Sequence, residues 1–269
     1  YIGCASTEDE TAMNLPRIMV APNGARKSKT DHPALPITID ETVETAKSCF
    51  EAGAGAIHAH VRDADGQHVL DAGLYRELTR QLKETVPAMP VQITTEAVGR
   101  YSPQQQRRLV REVMPEAVSV SLREMLPDEG EKPAAREFYH WADEAGIAVQ
   151  HILYEAAEVS ALFGRLREGV IPARKLQLLF VLGRYASDQE SDVSDMDPIL
   201  AAMAGQDNVP DDLQWGLCAF GHRETDCLAE AVRRGGHARI GFENSLWNRD
   251  GTVATDNAAR VRELKAAIG

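Results

Sequence analysis

Residues 52–63 read Ala-Gly-Ala-Gly-Ala-Ile-His-Ala-His-Val-Arg-Asp. Within them Ala56–Val61 is a short apolar, β-branched run, which predicts a strand. A segment of helical period, Tyr75–Glu84, follows it. The same strand-then-helix unit recurs in both directions. Upstream, Arg17–Ala21 precedes a helix from about Asp40, with Asp40 as N-cap and Glu41 and Glu44 in the first turn. Downstream, Val91–Thr95 precedes a helix opening at Ser102-Pro103, and Ala117–Leu122 one opening after Lys132-Pro133. Ile147–Leu153 leads into Glu155–Arg167, and Leu176–Leu182 into Asp197–Ala204. Leu213–Phe220 leads into Glu224–Arg234, and Ala238–Phe242 into a last helix, Asp256–Ile268. Eight such units, spaced by roughly 25 to 40 residues, match a βαβ repeat. Strands covered on both faces read as near-continuous apolar runs. The predicted fold is α/β, a closed (β/α)8 TIM barrel. An open doubly wound sheet usually carries a glycine fingerprint at its first turn, whereas Ala21-Pro22-Asn23-Gly24-Ala25-Arg26 has one glycine.

The length of 269 residues suits a single barrel over 17–269, preceded by an N-terminal extension over 1–16 expected to be poorly structured. Lys and Arg number 29 against 41 Asp and Glu, a net charge of −12, which argues against nucleic-acid and anionic-membrane partners. No apolar run is long enough for a membrane span, and Tyr1–Pro16 lacks the pattern of a signal peptide. Cys4, Cys49, Cys218 and Cys227 form no CxxC pair, so free thiols in a reducing cytoplasm are expected.

Barrel chemistry sits at the C-terminal ends of the strands. Those ends carry Asn23 and Arg26, then His58 and His60 with Arg62-Asp63, then Gln92, Thr94, Thr95 and Glu96. Next come Ser119, Ser121 and Glu124, then Gln150 and His151, then His222 and Arg223, and finally Arg239, Glu243 and Asn244. His58 and His60 share one strand face and make two corners of a metal site for Zn, Fe, Ni or Mn, with Glu243 as candidate third ligand. The bland alternative is a pair of core histidines bonded to neighbours. His32, His68, His140 and His237 read as surface or capping residues, while His151 and His222 stay open. Arg239 and Arg26 fit either an ion pair or an anionic substrate group. Thr94, Ser119 and Ser121 fit hydroxyl donors to a carboxylate, or simply strand formers. No GxSxG and no P-loop is present.

Five motifs in order resemble the β-keto acid cleavage enzymes, a family whose prototype acts on 3-keto-5-aminohexanoate. They are Asn23–Arg26 with Asp31–Thr38, Ala52–Asp63, Gln92–Thr95, Phe180–Gly183 and Gly235–Asn244, and the likeness spans Arg17 to Gly269. The resemblance implies a zinc-dependent barrel that condenses a β-keto acid with acetyl-CoA and releases acetoacetate and a new acyl-CoA. It implies one zinc ion on His58, His60 and Glu243, the family's catalytic arginine at Arg239, and substrate-holding hydroxyls at Thr94 and Ser119. It also implies a homo-oligomer, dimer or tetramer. Two departures stand out. Asn244 replaces an Asp that pairs with the arginine in the prototype, so Asn244 can only orient Arg239 or the base lies elsewhere. Positions suited to a substrate ammonium in the prototype are Arg26 and Ile152 here, which points to a substrate without an amino group, with an anionic or neutral tail. The rival readings are a metal-dependent barrel lyase or hydrolase without CoA, and a non-catalytic metal-binding barrel.

Overall fold

The computed structural model describes residues 13–269. Eight parallel strands close in sequence order into a barrel: β1 (Ile18–Val20), β2 (Ala56–Ala59), β3 (Val91–Thr94), β4 (Ala117–Ser121), β5 (Ala148–Leu153), β6 (Gln177–Leu182), β7 (Gln214–Ala219) and β8 (His237–Ile240). The helices are α1 (Ile39–Ala52), α2 (Ala72–Thr85), α3 (Pro103–Val113), the single turn α4 (Leu122–Met125), α5 (Lys132–Glu144), α6 (Ala156–Arg167), α7 (Asp197–Ala204), α8 (Glu224–Arg233) and α9 (Asn257–Ile268). The TIM barrel expected from the eight units is the observed architecture, with α4 as an addition.

Local chemistry sets the helix starts. Ser102 caps α3 with a reciprocal Gln105 bond and Pro103 in the first turn, and Asp256 accepts from Ala259 N to start α9. The cap of α1 is Thr38, not Asp40. Thr38 is extended, accepts from Glu41 N, and its own N–H is taken by the Glu41 carboxylate, which leaves Asp40 inside the first turn.

The strands alternate more than the apolar reading implied. Outward residues Ile57, Ile93, Val118, Val120, Leu178, Phe180 and Leu217 join Tyr75, Leu78, Phe138, Leu162, Leu228 and Val261 of the helices in one buried apolar layer. That layer supplies the stability, at about 1.5–3 kcal/mol for each large side chain removed from water. Much of the interior is polar: His58, His60, Gln92, Thr94, Ser119, Ser121, Gln150, Gln177 and Arg239 are all buried. His151 sits one position out of phase with Gln150. It faces outward onto Tyr139, ring centroids 5.2 Å apart, so its functional reading falls away. Burial alone holds its imidazole down to about 4.

At the N-terminal end the barrel is sealed. Leu15 packs with Met19 and Ala56, Leu15 N donates to Gln214 Oε1 (2.9 Å), and Gln177 Nε2 donates to Met13 O (2.6 Å). The described part of the expected N-terminal extension, Met13–Pro16, thus lies on the barrel floor; its first twelve residues, with Cys4, lie outside the described residues. Cys49, Cys218 and Cys227 are free and buried.

Candidate active site and metal centre

The opposite end opens into a cavity of about 300 Å³ lined by the strand ends and the loops after them. Each face-setting device there is visible. Gly24, at φ +61°, lets the β1 loop pass Glu243 so closely that a Cβ would meet Glu243 Cγ at 2.6 Å. Asn257, at the start of α9, accepts from Phe242 N (2.8 Å) and donates to Pro22 O (3.1 Å). It staples the loops after β1 and β8 together. Below it Arg260 and Glu224 form a fully buried ion pair at 2.8 Å, and Glu224 also accepts from Gly241 N (3.4 Å).

At the cavity base His58 Nε2, His60 Nε2 and Glu243 Oε2 form a triangle. Its edges are 3.2 Å between the imidazoles and 3.6 and 3.5 Å from each to the carboxylate. Ligands at the usual ~2.0–2.1 Å from a tetrahedral ion lie about 3.3 Å apart, so the spacing fits. The proton positions fit as well. Gln150 Nε2 donates to Leu178 O, and Gln92 Nε2 to Gln150 Oε1 (3.1 Å), so Gln92 Oε1 must accept from His58 Nδ1 (2.8 Å). On the other side His68 Nε2 donates to Glu96 O (3.0 Å), which makes its Nδ1 the acceptor for His60 Nδ1–H (3.4 Å). Both Nε2 lone pairs therefore face Glu243 Oε2, which has no hydrogen-bond donor of its own among the described residues. Three lone-pair carriers turned on one point are costly unless a cation stands between them. The histidine ligands, the carboxylate and the spacing suit a divalent ion such as zinc.

Electrostatics reinforce the arrangement. Burial, helped by Arg239, keeps His58 well below its ordinary value and so neutral, and burial next to His60 takes His68 down to about 3. Burial works to raise the Glu243 carboxyl, but Arg239 and the two imidazoles together hold it well below the carboxylate range. Arg239 donates through Nη2 to Glu243 Oε1 (2.9 Å) and to Cys218 Sγ (3.4 Å), while its Nε and Nη1 are buried without partners among the described residues. A guanidinium with two unused donors lines the cavity beside the metal triangle, ready for an anion.

Other expected residues divide. Thr94 and Ser121 line the cavity; Thr94 Oγ1 already accepts from Glu96 N (3.0 Å), and Ser121 Oγ has no partner. Ser119 Oγ is also unpartnered but is buried outside the lining. Asn23 spends its amide on the backbone of His60, donating to O (3.0 Å) and accepting from N (3.2 Å), and so braces the histidine strand. Arg26 lines the mouth with no ion pair among the described residues. Asn244 is buried outside the lining, and neither atom of its amide is hydrogen-bonded, to Arg239 or to anything else described. His222 is exposed, bound to Glu190 and stacked on Trp247 at 4.4 Å, away from the lining.

Two of the histidines assigned to the surface are buried. His68 backs His60. His32 bonds Ala254 O (2.9 Å), accepts from Ala34 N (3.1 Å) and packs on Phe242. His140 and His237 do cap backbone carbonyls, of Gly169 and Pro16. The signal for His68 was the Asp63–Gly66 turn, which folds the chain back so that Arg62 bridges His68. The cavity also holds Lys27, Arg184 and Tyr154, none of them singled out from the sequence. Arg184 follows Gly183 directly after β6, a strand end that carried a charge like the others. It reaches Glu96 at 3.5 Å and lies over the Phe220 ring.

Fold and site together define a barrel enzyme with a bis-imidazole–carboxylate centre at the C-terminal mouth of its strands. The sequence profile of the beta-keto acid cleavage enzymes matches residues 17–269, and the chain belongs to that family. It is 26% identical over 247 residues to a 3-keto-5-aminohexanoate cleavage enzyme of Fusobacterium nucleatum, covering 90% of this chain and 86% of that one. It is 25% identical over 255 residues to a 3-oxoadipate:acetyl-CoA acetyltransferase of Cupriavidus necator, covering 93% and 87%. Among solved structures, a binary complex of ObcA with oxaloacetate shares the fold at TM-score 0.66 and 15% identity, covering 87% of this chain; this chain spans 63% of the length of that longer protein. The protein is therefore an acyl-transferring, carbon–carbon bond-cleaving enzyme, as the five motifs implied.

Proposed function

We propose that this enzyme transfers the acyl group of a β-keto acid to CoA, taking acetyl-CoA as co-substrate and releasing acetoacetate. The observation that carries the reading is the triangle of His58, His60 and Glu243 with both Nε2 lone pairs turned inward beside Arg239. A zinc ion held there would act as Lewis acid on the keto and carboxylate oxygens of the substrate and acidify the methylene between them. Arg239 Nε and Nη1 take the substrate carboxylate and hold it against the base of the cavity. Ser121 Oγ and Thr94 Oγ1 supply hydroxyl donors on the β3–β4 wall. Holding both reactants in one blind cavity makes the carbon–carbon bond-forming step effectively unimolecular.

The substrate we propose lacks an amino group. Arg26 at the mouth and Ile152 on the wall offer an ammonium nothing, and Arg26 has no ion-paired carboxylate among the described residues. An anionic tail, as in the 3-oxoadipate of the Cupriavidus relative's name, suits Arg26. Asn244 stays a candidate for orienting Arg239 once substrate is bound. We also propose a cytoplasmic homo-oligomer, testable by fractionation and light scattering; no helix of the described residues is long and apolar enough to cross a membrane. The deciding experiment combines metal analysis with a panel of dicarboxylic, neutral and aminated β-keto acids plus acetyl-CoA. Acetoacetate and the matching acyl-CoA are expected, fastest from a non-aminated acid. Substrate loss without CoA would favour a lyase, and bound metal without turnover a binding protein.

A further inference from the structure

The cavity contains four carboxylates, and three are committed. Glu243 points one oxygen at the imidazoles and gives the other to Arg239. Glu96 is paired with Arg184 and faces His60 Nδ1 at 3.9 Å. Asp31, exposed on the rim, accepts from Ser28 N (2.7 Å) and Ser28 Oγ (3.1 Å). Glu124 differs. It sits on α4 directly after β4 and lines the cavity. Among the described residues it has no ion pair, and its one hydrogen bond there runs from Ala97 N to Oε2 (3.0 Å). That bond fixes the carboxyl beside Glu96 and leaves Oε1 uncommitted. Lys27, another proton carrier of the cavity, directs Nζ at Glu243 O (2.7 Å); burial lowers it from its ordinary value, against the charges of Glu243, Glu224 and Asp31.

We infer that Glu124 is the base that takes the methylene proton from the β-keto acid. The inference rests on the acyl-transfer reading. The C–H bond breaks, its proton passes to Glu124 Oε1, and its electron pair becomes the enolate. The enolate carbon attacks the acetyl thioester, forming the carbon–carbon bond and expelling the CoA thiolate. The same thiolate attacks the original keto carbon, and cleavage there yields the new acyl-CoA and the enolate of acetoacetate. Glu124 returns its proton to that carbon, so the proton count closes with no outside acid or base.

The surroundings suit the task. Burial is the main influence on Glu124, and the neighbouring Glu96 charge adds to it; they outweigh the Ala97 N–H and the nearby Arg184 and Arg123 and push the carboxyl up to about 7. Tyr154, the other titratable group facing it, is held neutral by burial. The two neighbouring carboxyls have different surroundings: Glu96 is ion-paired with Arg184, and Glu124 has no ion pair among the described residues.

The test uses the full chain loaded with zinc and the best substrate of the panel. Glu124→Gln should lower kcat about a hundredfold or more with KM within threefold and bound zinc unchanged. The limb of the pH profile near neutrality, present in the wild type, should vanish, and Glu124→Asp should recover part of the rate. A Glu124→Gln enzyme that keeps kcat within threefold, or keeps that limb, overturns the assignment. So does an effect confined to KM for an aminated substrate, which would make Glu124 an ammonium holder. If the wild type itself forms no acetoacetate from any acid of the panel, the acyl-transfer reading fails and takes this one with it.

Discussion

Replacing His68 with phenylalanine removes the one acceptor within hydrogen-bond distance of His60 Nδ1–H among the described residues while keeping a ring of similar size against Tyr101, 6.4 Å away between centroids. His60 is then left with two poor choices. It can bury an unsatisfied N–H, at about 1–3 kcal/mol, or it can move the proton to Nε2 and lose its lone pair toward Glu243. Either route weakens metal binding, and partners of this kind are typically worth ~10–100-fold in affinity. That range equals about 1.4–2.8 kcal/mol, in agreement with the hydrogen-bond figure. Competition against a chromophoric chelator gives the zinc Kd of wild type and variant directly, without any assumption about the reaction. A rise of at least tenfold is expected, with far-UV circular dichroism unchanged. His68→Asn, which keeps an acceptor, should fall between. A His68→Phe protein whose zinc Kd stays within twofold of wild type refutes the tautomer argument.

Further outcomes follow from the same geometry. His58→Ala should lose bound metal and turnover while the thermal midpoint stays within a few degrees, because the apolar layer lies outside the barrel; a collapse in stability would mark the site as structural. Gly24→Ala combines a left-handed φ, a strain of about 1–2 kcal/mol, with a clash on Glu243, and metal analysis should show at least tenfold weaker retention. Arg26→Ala should raise KM about tenfold for a dicarboxylic β-keto acid and little for a neutral one. His151 is neutral when folded and charges more readily unfolded. Its contribution is thus intact above about pH 6.5 and lost as pH falls toward 4, up to about 3 kcal/mol, and denaturant titrations of His151→Phe should show a flatter acid limb.

The barrel was legible because its units announce themselves locally, and the meeting of His58, His60 and Glu243 because the two histidines are two apart on one strand. What stayed hidden needed register or long-range contact. Gln150 and His151 are adjacent, and nothing in the sequence says which faces inward; only the pairing of β5 with β4 and β6 decides. The role of Gln92 and Gln150 as a relay that sets the His58 proton appears only when three strands stand side by side. His68 looked like a loop residue because its seat behind the His60 ring shows only in the folded chain. Arg184 and Lys27 were readable by the strand-end rule, whereas the solitary state of Glu124 could be seen only once its neighbours' partners were known.

The seal made by Leu15, Gln177 and Gln214 has one more implication. With one end of the cylinder stoppered, the cavity opens at the other, and the proposed reactants and products would share that mouth. Shared passage predicts that each product molecule hinders entry of a reactant, which product-inhibition patterns would read.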